Sequence, residues 1–125
     1  TEQNIFKAYK NLEENNNQLA IQILHYEFLG PIEISEWGPP MSQLVYLLFS
    51  KTKNGFNILY ASQVEKTDKT DFFVQNDKFQ CWLQHAGSDA MLYLAIYPLP
   101  DSQESDRERI VQQIISKYRP PCNTE

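Results

Sequence analysis

The sequence predicts a small α/β domain of the α+β kind. A three-stranded, mostly antiparallel sheet is flanked by helices and preceded by an N-terminal helical extension. Three observations carry this. Leu44 to Phe49 and Phe56 to Ala61 are apolar runs on either side of a polar stretch holding Asn54-Gly55, a strong hairpin signal. Met91 to Tyr97 is a third apolar run, closed by Pro98 and Pro100. Ile110, Val111, Ile114, Ile115 and Tyr118 recur at helical spacing behind Ser105 and Glu108, whose S-x-x-E pattern is expected to cap a helix over 106–118. Pro120-Pro121 stops that helix.

The remaining elements follow in order. Ile5, Phe6, Tyr9 and Leu12 give residues 2–14 an apolar helical stripe, and Asn15, Asn16 and Asn17 break it. Residues 18–29 fit both periods: Leu19, Ile21 and Ile23 alternate, while Leu19, Ile23 and Tyr26 fit a helix face. They are read as helix early and strand from Tyr26 to Leu29. Gly30-Pro31 ends that element, which sets an extension over 1–31 and a domain over 32–125. Residues 62–71 are polar and read as a loop. Residues 72–86 read as mostly helical, with Gly87 ending the helix.

One domain with one core suits a chain of 125 residues, 42% of them hydrophobic and 13% aromatic. No run is apolar for long enough to span a bilayer, and no leader pattern opens the chain. The net charge of −5 works against a phosphate backbone, so a nucleic-acid role needs a local basic patch. Arg107, Arg109, Lys117 and Arg119 form the best such patch, diluted by Asp101, Glu104, Asp106 and Glu108. Cys81 and Cys122 are the only cysteines and are expected as two reduced thiols in a cytoplasmic protein. With His25 and His85 they make up every Cys and His. Only Cys81 and His85 are close, four residues apart, and no paired ligand spacing appears. Cys81 is therefore expected as a small buried hydrophobe beside Trp82, and His85 as a helix-end residue. Phe72, Phe73 and Trp82 could stack bases but are expected in the core.

A hairpin, a helix, a third strand, a helix and a proline-rich tail form an order that resembles the GIY-YIG nuclease domain over about residues 32–123. Leu44-Val45-Tyr46 stands at the first family triplet. Leu59-Tyr60-Ala61 stands at the second. The tail Tyr118-Arg119-Pro120-Pro121-Cys122-Asn123 is the most specific part of the match. The resemblance implies a site containing Tyr46, Tyr60 and Asn123. In the family a late-helix Glu holds a divalent metal and an Arg after the second triplet assists at the phosphate. Here the Glu position falls on Val111, with Glu108 one turn earlier on nearly the same face as a candidate substitute. No Arg lies between Ala61 and Trp82; Lys66, Lys69 and Lys78 are the cations there. Leu44 and Ala61 replace the two glycines.

The expectation is therefore a catalytically impaired GIY-YIG-like binding module. No cofactor is expected, with Mg²⁺ or Mn²⁺ on Glu108 only if nuclease activity is retained. A protein partner, self-association and DNA stay open, with the acidic charge weighing against DNA. The alternatives are an atypical metal-dependent endonuclease and an unrelated α/β interaction protein.

Overall fold

The computed structural model describes residues 20–36, 41–67 and 72–124. The helix expected over 2–14, Trp37 to Pro40, and Lys69 lie outside them. Within them the chain is α+β, built on a five-stranded, open, antiparallel sheet with three helices. The strands are β1 (Ala20–Ile23), β2 (Tyr26–Glu33), β3 (Ser42–Thr52), β4 (Gly55–Lys66) and β5 (Leu92–Pro98), in the spatial order β1-β2-β5-β3-β4. The helices are α1 (Phe79–Ala86), α2 (Glu104–Tyr118) and the short α3 (Pro121–Thr124).

The hairpin is where the turn signal puts it. β3 and β4 pair from Ser42↔Lys66 to Thr52↔Gly55, leaving Lys53 and Asn54 as the turn. β3 is central, between β5 and β4, and its residues 44–50 are all buried because both faces of the sheet are covered. Leu44, Tyr46 and Leu48 face a cluster with Phe73, Trp82, Leu94, Ile96 and Cys122 on the α1 side. Val45, Leu47 and Phe49 face Phe28, Ala61, Ala95, Ile110, Val111 and Ile114 on the α2 side. The alternation of a strand thus feeds two cores, one per face.

Four expectations are corrected. The sheet has five strands, not three, because residues 20–33 form a second hairpin. Ile23 pairs with Tyr26 across a Leu24-His25 turn, and β2 pairs with β5. The helical reading of residues 20–23 fails because the alternating Ile21 and Ile23 find an apolar partner surface: Ile23 is buried in the α2-side core with Ile21 packed beside it. The polar loop expected from residue 62 begins later, since β4 runs to Lys66. Its polar side chains are used within the fold, with Gln63 and Glu65 accepting from Arg107. Residues 72–78 are turns rather than helix, because the Asn76 side chain accepts from the Lys78 N–H at 2.8 Å and closes an Asx turn before α1 begins.

The helix ends were half legible. Gly87 ends α1 in the left-handed region at φ 91°, donating its N–H to the Leu83 carbonyl. α2 starts two residues before the expected position. Asp106, not Glu108, reaches back to the start of the helix, where its carboxylate accepts from the Gln103 N–H at 3.0 Å. Ile110, Val111 and Ile114 are buried as the stripe predicts, whereas Tyr118 is 41% exposed. The largest departure is covalent. Cys81 and Cys122 form a disulfide, not two free thiols, because α1 and α3 bring their Cα atoms to 5.8 Å. No helix of the described residues is long and apolar enough to cross a membrane.

Candidate functional site

The hairpin brings Tyr46 and Tyr60 to the same face of the sheet. Tyr46 on β3 pairs with Ser62, and Leu48 pairs with Tyr60. A register shift between Leu48 and Phe49 leaves Leu59 unpaired, so β4 carries a bulge beside Tyr60. Such a bulge re-aims the neighbouring side chain and raises local twist. The two rings stand 6.3 Å apart, with Phe73 edge-on to Tyr46 at 5.1 Å and Trp82 tilted against Tyr60 at 5.4 Å. Trp82 is fully buried, and its indole N–H has no hydrogen-bond partner among the described residues.

The polar ends of the two tyrosines converge. The Ser62 side chain lies near enough to both phenols to favour their ionised forms. The Asn76 amide donates to the Tyr46 hydroxyl at 3.5 Å, the long end of the range. Burial is the main reason that the Tyr46 phenol is pushed well above its ordinary value. Tyr60 and Asp77 add to that effect, while Ser62 and Asn76 oppose it. Tyr60 is only half buried, but burial again raises it first, opposed by Ser62 and reinforced by the charges of Asp77 and Glu108. Both phenols are therefore neutral at physiological pH. They can donate and accept hydrogen bonds but are poorly placed to remove a proton from water.

Asn123 joins the site through the backbone. Its Nδ2 donates to the Ala61 carbonyl, and its Oδ1 accepts from the Ala61 N–H, both at 2.9 Å. β4 is an edge strand, and this side-chain amide satisfies one residue of its outer rim as a neighbouring strand would. α3 and the disulfide hold Asn123 there, since Cys122 precedes it. Asn123 thus ties α3 to β4 at Ala61.

The four cations expected as one patch are divided. Arg107 is fully buried. It donates from Nε to Gln63, from Nη1 to the Ser102 carbonyl and hydroxyl, and from Nη2 to Glu65 at 2.5 Å. A guanidinium so engaged is not open to phosphate, so Arg107 leaves the patch. Glu65 itself is mostly exposed, and its carboxyl is held below the usual range by hydrogen bonds from Gln43 and Arg107 and by the Arg107 charge. Arg109, Lys117 and Arg119 are exposed on the other side of α2 and at its end. Arg109 and Lys117 border a shallow cavity of about 740 Å³ with His25 and Gln113.

Val111 is buried, as its apolar character requires. Glu108 is exposed, accepts from Gln112 at 2.9 Å, and lies near enough to Tyr60 for its charge to raise that phenol. Sequence reading missed Ser62, Asn76 and Asp77, which carry no motif and reach the tyrosines only through strand pairing and the turn at 72–78. It also missed that Cys81, His85 and Cys122 meet, with ligand atoms within 4.8 Å of one another. His25, the remaining residue of that type, is on the β1–β2 turn, its ring tilted against Tyr26 at 4.1 Å. Comparison of the chain with protein-family models, curated proteins and solved structures finds no match.

Proposed function

We propose that this chain is a catalytically impaired GIY-YIG-like domain that works as a binding module, using the face around Tyr60 and Ser62. The observation that carries the reading is the state of the groups that catalysis would need. Burial and nearby negative charge keep both tyrosines protonated. Arg107, which reaches two β4 side chains, spends its donors on Gln63, Ser102 and Glu65. The family's metal position is the buried Val111. The element order and the clamp of Asn123 on Ala61 support the ancestry.

The net charge of −5 favours a protein partner over a nucleic acid. A cytoplasmic setting, if that is where the chain works, would hold Cys81 and Cys122 reduced.

The test is a cleavage assay on labelled single-stranded, duplex and branched DNA with Mg²⁺ or Mn²⁺, run beside Glu108→Ala. Folded protein that cleaves nothing agrees with the proposal. Cleavage that vanishes in Glu108→Ala refutes it and establishes the second reading, an atypical metal-dependent endonuclease. The nearness of Glu108 to Tyr60 is the observation that favours this second reading.

A further inference from the structure

Cys81 sits on α1 and Cys122 on α3, and His85 follows Cys81 by four residues, one helical turn along the same face. Two sulfurs and an imidazole nitrogen from these residues all lie within 4.8 Å of one another. Two thiolates and an imidazole are a donor set suited to a borderline-soft divalent ion. Tetrahedral zinc, with bonds of roughly 2.3 Å to sulfur and 2.0 Å to nitrogen, keeps its ligand atoms roughly 3.5–3.8 Å apart. The 4.8 Å limit on these three residues is about one ångström wider than that spacing, so a side-chain adjustment of this size, with separation of the two sulfurs, is what a bound ion requires. Cys122 is buried, Cys81 half buried and His85 exposed, so the cluster runs from the core to the surface.

We propose that the reduced chain binds one zinc-class divalent ion through Cys81, Cys122 and His85. The ion would take over the work of the disulfide. It would tether α3 to α1 and so keep Asn123 on Ala61 in a compartment where the disulfide does not persist. Reduction by a phosphine delivers two electrons and two protons to the sulfurs, and the phosphine becomes its oxide with oxygen from water. Metal binding then displaces both thiol protons, so affinity rises with pH.

The probe is Co²⁺, titrated into the whole chain after phosphine reduction and, in parallel, into the oxidised chain. Expected is one Co²⁺ per reduced chain, with a thiolate-to-cobalt charge-transfer band and the visible bands of a tetrahedral site. Displacement by Zn²⁺ and no such bands in the oxidised chain are also expected. His85→Ala removes the imidazole donor and weakens Co²⁺ binding by about ten-fold or more. Cys122→Ala lowers the charge-transfer intensity as one thiolate is lost. If the reduced chain unfolds, recovery of its circular dichroism on adding Zn²⁺ counts as binding. Absence of the charge-transfer band in the reduced chain overturns the proposal. So does equal binding by the oxidised chain, or an affinity unchanged by His85→Ala.

Discussion

Replacing Asn123 isolates the contact that ties the tail to the edge strand. Its amide makes two hydrogen bonds to Ala61, both at 2.9 Å, and Ala61 itself is 1% exposed. Each bond contributes about 0.5–1.5 kcal/mol net, and the two buried backbone groups are left unpaired when the amide goes. Asn123→Ala should therefore cost about 1–3 kcal/mol. Asn123→Asp sharpens the test. A carboxylate can still accept from the Ala61 N–H but sets its other oxygen against the Ala61 carbonyl, so at neutral pH it should cost at least as much as alanine. Protonation restores a donor, which gives the new carboxyl a raised folded-state value. Its stabilising contribution is thus present below the unfolded value, about pH 4, and disappears as pH rises through the folded value. The assay is urea unfolding of the oxidised proteins, followed by circular dichroism at two pH values. The midpoint should fall with an unchanged slope. A midpoint within error of the parent for Asn123→Ala would refute the reasoning. An Asn123→Asp deficit that does not shrink in acid would do the same.

The remaining expectations are these. Removing the disulfide with Cys81→Ala and Cys122→Ala opens a loop of sequence separation 41, which the chain-entropy relation values at about 4 kcal/mol, to be read from thermal unfolding. Gly30→Ala should cost about 2 kcal/mol or more, because Gly30 has φ +116° and an added Cβ would stand 2.8 Å from the Leu94 carbonyl oxygen, which is backbone and cannot swing away. The lowered Glu65 carboxyl contributes stability that is present above its ordinary value of 4.5 and is lost as pH falls through the lower folded value. Glu65→Gln should therefore flatten the acid limb of the stability curve. In an alkaline absorbance titration Tyr46 and Tyr60 should contribute a late phase above the ordinary phenol range, and Tyr46→Phe and Tyr60→Phe should each remove part of it. Since both folded values are raised, the associated stability holds below about pH 10 and declines above it.

Local chemistry determined much of this protein by itself. Asn54-Gly55 between two apolar runs specified the central hairpin, Gly87 ended α1, and the spacing of Ile110, Val111 and Ile114 set the buried face of α2. Each of these signals acts within a few residues, where turn preference and periodicity operate. Tertiary structure decided the rest. Residues 20–23 fit two periods and became strand because the hairpin they form extends the sheet on the open side of β5. Arg107 looked like one cation among four until α2 packed it against Gln63 and Glu65. Ser62, Asn76 and Asp77 reach the tyrosines from separate segments, and Cys81 meets Cys122 across 41 residues. Contacts at that range leave no local trace in the sequence, because the helix and strand periods fix which way a side chain points but not what it will meet.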